Sequence, residues 1–251
     1  MRVLVHGAGG HMGRIVCDLA QNGSCGATLA ARVSPELETN AAEHTFSSLE
    51  ECGVSADVIV DFSAASAIGP LCDYAVRTNT PLVVATTGHD EAGRTAIEHA
   101  ARQIPLFFAA NMSVGVALLI RLAQQTAKMF PSAQIEIVET HHCRKLDAPS
   151  GTALAIAHGL QEVRPELTLH CGRSGMHKRE ENEIGIQSIR YGNVVGEHEV
   201  IVSAGSQTIR LKHEAHDRAL FAEGALAAAQ YLITQSAGLY QMSDLLRSQE
   251  E

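Results

Sequence analysis

Between Met1 and Asn111, short runs of aliphatic, β-branched and aromatic residues alternate with longer stretches of mixed polarity. The runs at residues 2–6, 28–33, 58–62, 82–86 and 106–109 are short for helices and rich in strand-forming side chains. The stretches at residues 12–21 and 91–103 instead space their apolar positions for a helix face, with Ile97, Ala100 and Ala101 together in the second. Such alternation specifies a parallel sheet with crossover helices, and predicts an α/β, Rossmann-type doubly wound sheet.

Beyond Asn111 the pattern changes. A helix is predicted over residues 114–129, with Leu118, Leu122 and Met129 on one side, followed by a strand at 135–140 and a second helix starting at Gly151. Runs at 184–190, 198–203 and 207–213, joined by glycine turns, predict an antiparallel or mixed sheet and hence a second, α+β domain. The alanine-rich helix expected at 218–236 can pack back on the first domain. The expected division is therefore 1–112 plus 219–251 against 113–218.

Composition narrows the class. With 251 residues and 45% hydrophobic content, the chain can bury the core of one large or two modest domains. A net charge of −9 argues against general nucleic-acid binding, which needs clustered Lys and Arg. Cys17, Cys25, Cys52, Cys72, Cys143 and Cys171 form no CxxC pair, so a zinc knuckle and a dithiol redox motif are disfavoured. No apolar run reaches membrane-spanning length, and the opening MRVLVHG lacks the features of a signal peptide, so the expectation is a cytoplasmic protein with no membrane partner.

Gly7, Gly10 and Gly13 directly follow the first strand and open a helix, with a further glycine at position 9. Glycines allow a tight turn and close backbone approach, and free amides at a helix start attract a diphosphate. A purely structural turn is compatible with the same glycines; the surrounding strand–helix–strand pattern favours a dinucleotide. No acidic residue stands at the end of the second strand to bond ribose hydroxyls, whereas Arg32 can pair with a 2′-phosphate. NADPH is therefore the leading cofactor, with NADH the alternative and a solvated surface role for Arg32 still open. Three more strand ends, near Ser63, at residues 85–88 and at 109–113, offer small or hydroxylated residues that suit a ligand crevice or a capped turn alike.

The most unusual segment is ETHHCRKLDAPSGTAL, residues 139–154. Histidine can give or take a proton near neutral pH, lysine can donate one or hold an anion, and the amides of Gly151 and Thr152 at a helix start suit a carboxylate. Together they fit reduction of a carboxylated, unsaturated or imine-containing small molecule. His141 and His142 point to opposite faces if they lie on a strand, so one can be structural. Adjacent histidines make awkward co-ligands, and a metal site is disfavoured. His213 and His216 read as polar residues at a strand end.

These segments resemble the 4-hydroxy-tetrahydrodipicolinate reductase (dihydrodipicolinate reductase) family of the diaminopimelate route to lysine. The resemblance runs nearly end to end, through GAGGHMGR (7–14), ATTGHDEAG (85–93), AANMSVGV (109–116), ETHHCRKLDAPSGTA (139–153) and YGNVVGEH (191–198). It implies His141 as proton donor or acceptor, Lys145 as second proton donor, and His142, Gly151 and Thr152 as the site for a substrate carboxylate. It also implies cofactor contacts from Gly7, Ala8, Gly9, Gly10, His11 and Met12, from Ala85, Thr86 and Thr87, and from Ala109, Ala110, Asn111 and Met112. A homotetramer built through the second domain, acting on a small dicarboxylate, follows from the same resemblance. The chain departs from the family pattern at Ala31-Arg32, where an acidic residue is common, at Ala85 for a usual glycine and at Met112 for a common aromatic. Two other readings share the loop: a reductase of a different imine or semialdehyde, and a non-catalytic dinucleotide sensor.

Overall fold

The computed structural model describes residues 1–249 and divides into two compact units, Met1–Ser113 with the segment from Ala219 onward, and Val114–Arg218. The first segment runs β1 (Arg2–His6), α1 (His11–Gln21), β2 (Thr28–Val33), β3 (Thr45–Phe46), β4 (Val58–Asp61) and α2 (Ile68–Thr78). It continues through β5 (Leu82–Val84), α3 (Glu91–Ala101) and β6 (Pro105–Phe108). The second unit contains α4 (Val114–Met129), β7 (Gln134–His141), α5 (Gly151–Val163), β8 (Thr168–Cys171), β9 (Glu183–Arg190), β10 (Gly196–Ala204) and β11 (Gln207–Ala215). The chain then returns as α6 (Ala219–Leu232), β12 (Gly238–Tyr240) and α7 (Met242–Ser248).

In the first unit all strand pairs are parallel and the order is β12-β6-β5-β4-β1-β2-β3. The order reverses between β1 and β4. Crossovers to either side of that point leave a crevice at the carboxyl ends of these strands, which is where ligands bind open α/β sheets. The strands are apolar on both faces because helices cover both: Val3, Leu4, Val5, Val58, Ile59 and Val60 are all buried. Helix α6 is buried around most of its circumference, through Ala222, Ala225, Leu226, Ala228, Ala229 and Leu232, and packs on α1 and β4–β6.

The second unit has a mixed sheet of order β11-β10-β7-β9-β8, antiparallel through β11, β10 and β7 and parallel from β7 to β8. Helices α4 and α5 pack together, and their core joins Ala123, Ala127, Ile156 and Leu160 to Ile135, Ile137 and Val200 of the sheet. The stripe expected on α4 is corrected here. Leu118, Leu122 and Met129 are exposed, and the buried face is Val116, Leu119, Ala123 and Ala127. The close approach of α5 explains the choice of small residues: a Cβ on Gly159 would lie 2.7 Å from Ile120.

Candidate active site

The glycine loop is shaped by backbone proximity. Gly7 adopts φ +82°, and a Cβ there would sit 2.5 Å from the carbonyl oxygen of Phe62, at the end of β4. A Cβ on Gly13 would collide with the Gly7 carbonyl, whereas one on Gly10 would find ordinary contact at 3.4 Å. The amides of Gly7 and Ala8 both donate to the Val33 carbonyl, at 2.8 and 3.1 Å, tying the loop to the end of β2. Gly10 is the N-cap of α1 and supplies no side chain, so the first amides of that helix lack both a cap and intrahelical acceptors. His11 is exposed and Met12 half-buried at this end.

Other crevice residues carry unpartnered polar atoms. Ser63 Oγ and Thr86 Oγ1 are buried with no hydrogen-bond partner, as is Nδ1 of His89, whose Nε2 bonds the Thr86 carbonyl at 2.9 Å. Buried polar groups are rarely left unpaired, so these atoms mark a place for a polar ligand. Ala85 is buried, with its amide on the Asp61 carbonyl at 3.0 Å, while Thr87 and Ala110 are exposed. Asn111 accepts a hydrogen bond from the Ser113 amide at 2.8 Å, and Met112 is buried. Loop amides without a cap, glycines that admit backbone contact and unpaired hydroxyls together fit a dinucleotide.

Two neighbours of the loop were not legible in the sequence. His6 and Asp61, at the ends of β1 and β4, form a buried pair at 2.8 Å directly before the glycine turn. Gly9 faces Ser34 and Glu36, and a Cβ at position 9 would overlap the Glu36 carboxylate. Glu36 thus brings a carboxylate to the loop from three residues past the end of β2. Arg32 is half-buried within β2, close to Cys17 of α1.

The histidine segment lies wholly in the second unit. Glu139 and His141 alternate along β7 and share a face. Glu139 is fully buried; it accepts from Nδ1 of His141 at 2.6 Å, from both terminal nitrogens of Arg190 at 2.8 and 2.7 Å, and from the Ser150 amide at 3.1 Å. Burial would push this carboxyl up, but the bonds from Arg190, Ser188, His141 and Ser150 outweigh it and hold it down to about 2. Burial pushes the His141 imidazole below the usual histidine range, more than Glu139 raises it. The ring of His198 stacks edge-on to His141 at 5.1 Å, and burial together with His141 pushes it down to about 3. His198 Nε2 and Ser150 Oγ share a 3.0 Å hydrogen bond.

Ser150 is the N-cap of α5, accepting from the Ala153 amide at 3.1 Å. This cap sets Gly151, exposed, and Thr152, half-buried, at the positive end of the helix. Lys145 is paired with Asp147 at 2.8 Å, and that bond holds the Asp147 carboxyl below its ordinary range. His142 donates its amide to the Val194 carbonyl at 2.8 Å, and its Nδ1 is buried without a partner. The structure thus brings His141, Lys145, His142 and the start of α5 into one segment of one unit.

Comparison with known proteins shows the family. The family described as "Dihydrodipicolinate reductase, N-terminus" matches residues 1–112, and "Dihydrodipicolinate reductase, C-terminus" matches residues 115–246. The 4-hydroxy-tetrahydrodipicolinate reductase of Caldanaerobacter subterraneus subsp. tengcongensis is 41% identical over 258 residues, covering 98% of each chain. That of Alkaliphilus metalliredigens is 40% identical over 248 residues, covering 98% of this chain and 99% of its own. Among solved structures, a dipicolinate-bound dihydrodipicolinate reductase from Paenisporosarcina sp. TG-14 superposes with a TM-score of 0.80 at 23% identity, covering 96% of this chain and 97% of its own. A C. glutamicum DAP dehydrogenase shares the fold more distantly, with a TM-score of 0.59 at 14% identity, covering 98% of this chain and 95% of its own.

Proposed function

Because the chain belongs to the dihydrodipicolinate reductase family, an oxidoreductase family, we propose that it reduces 4-hydroxy-tetrahydrodipicolinate to tetrahydrodipicolinate, with loss of water, in the diaminopimelate route to lysine. The observation that carries the reading is the His141–Lys145 segment leading into the Ser150-capped start of α5, which assembles proton-transfer groups beside an anion site. A bound nicotinamide dinucleotide supplies the hydride. One hydride and one proton are consumed and one water leaves, so the chain's own task is to hold a dicarboxylate and deliver protons.

His141 gives the proton that accompanies the hydride. Lys145, the second donor, protonates the departing hydroxyl, and the C–H proton lost in that elimination restores the balance. The amides of Gly151 and Thr152 with His142 hold a substrate carboxylate. In this reading the first unit holds the dinucleotide, through residues 7–12, 85–87 and 109–112, and the second binds substrate and associates into a cytoplasmic homotetramer. NADPH is the preferred cofactor through Arg32. A second reading, with NADH used as well, is favoured by the Glu36 carboxylate at Gly9, because acidic groups there bond ribose hydroxyls and repel a 2′-phosphate.

The test is a coupled assay with freshly generated substrate and each cofactor in turn. His141→Ala and Lys145→Ala are each expected to lower kcat by about 100-fold or more, the range of a lost general acid. Near wild-type turnover in both variants would sink the assignment.

A further inference from the structure

Resting on the reading that His141 moves the proton, we infer that Glu139 and Arg190 are positioning residues that jointly fix the His141 ring and the loop bearing Lys145. The geometry runs through one guanidinium. Arg190 grips both oxygens of the buried Glu139 carboxylate, and its Nη2 also donates to the Asp147 carbonyl at 2.7 Å. Asp147 in turn pairs with Lys145. One end of the clamp therefore reaches His141 through Glu139, and the other reaches Lys145 through the backbone and side chain of Asp147.

An ionised carboxylate only accepts hydrogen bonds, so Glu139 requires the His141 proton to sit on Nδ1 and leaves Nε2 as the exchanging atom. The fold keeps room beside Nε2. A Cβ on Gly196 of β10 would lie 3.1 Å from it, closer than side chains normally approach. Arg190 stops the carboxylate from turning away, since a second pair of bonds fixes its plane. The titratable and charged groups around the ring are Glu139 on β7, Arg190 on β9, His198 on β10 and Lys145 in the loop.

Two measurements test this. In wild-type protein labelled with ¹⁵N-histidine, the His141 resonance, assigned by its loss in His141→Asn, is expected to report the Nδ1–H tautomer at pH 8. A proton on Nε2 overturns the inference. In Glu139→Gln, kcat is expected to fall about 10- to 100-fold, the scale of losing a partner that orients a functional histidine, with KM changed less. The limb of the pH profile that reports His141 moves to lower pH, because the negative charge that stabilised the imidazolium is gone; a purely structural lesion lowers kcat without moving that limb. Arg190→Met is expected to lower kcat in the same range and to move that limb the other way, to higher pH, because a positive charge that opposed the imidazolium is gone. Wild-type kcat and pH limb in a Glu139→Gln protein that still binds dinucleotide overturns the inference while His141→Ala is inactive. If Glu139→Gln does not fold, the tautomer measurement decides alone. Activity surviving in His141→Ala instead overturns the functional reading beneath it, whatever the tautomer.

Discussion

Gly13 and Arg32 show how much the environment of a single residue decides. A Cβ at position 13 would collide with the backbone carbonyl of Gly7, whereas one at position 9 would meet only the side chains of Ser34 and Glu36, which can move aside. Gly13→Ala is therefore expected to weaken dinucleotide binding about tenfold or more, a loss near 1.4 kcal/mol; unchanged affinity in a fluorescence titration would show that the loop absorbs the displacement. Arg32→Ala is expected to raise KM for NADPH about tenfold and leave NADH little changed, with Glu36→Ala doing the reverse; equal effects on both cofactors would remove Arg32 from cofactor choice. The sequence marked the loop glycines by spacing, but Glu36 lay outside any motif. Its proximity depends on the turn at residues 34–37, where the Leu37 amide bonds the Ser34 carbonyl and folds the carboxylate back over the loop. Glu139 was visible only as the first letter of the histidine segment, since nothing local says that Arg190 will arrive from β9, 51 residues later.

At the scale of elements, the strands β1, β2, β4 to β7 and β9 to β11 and the helices α1 and α3 to α6 were legible, whereas β3, β8, β12, α2 and α7 were not. The edge strands β3 and β12 have two and three residues, too few for alternation to register, and β8, with four, is bounded by loops that hide it. Helix α4 misled because its leucines suggest a stripe, whereas alanines form the face that admits α5. The strand pair β7 and β10 also predicts pH behaviour. His198, opposite Glu139 in that pair, stays neutral down to about pH 3 in the fold but protonates near 6.5 when unfolded. Between those values the unfolded chain binds more protons, so stability present above about pH 6.5 is lost progressively as pH falls towards 3. Glu139, held down to about 2, adds a loss of the same sign below about pH 4.5. Calorimetry should show a melting temperature that falls with pH through the first window, and His198→Gln should flatten that slope; an unchanged slope would discount His198.

For the whole molecule, each unit has its own core, so ligands can be assigned to units by what they stabilise. A dinucleotide at about 100 times its Kd stabilises the unit that binds it by roughly 2.7 kcal/mol. Hydrogen exchange is expected to slow in β1, α1 and β4 on adding NADPH and not in β8 or β9; protection of the second unit alone would misplace the cofactor. The chain returns to the first unit as an alanine-rich apolar helix, and such a helix must be enclosed. That return also orders events during synthesis. At roughly 5–20 residues per second, the ribosome spends about 5–20 s on residues 114–218, and through that interval the first sheet has no α6 on α1 and no β12 beside β6. The inserted unit is thus the first whose sequence is complete. The opening half of the first unit waits through that interval with β6 as an unpaired sheet edge, the kind of surface on which a strand of another chain can add.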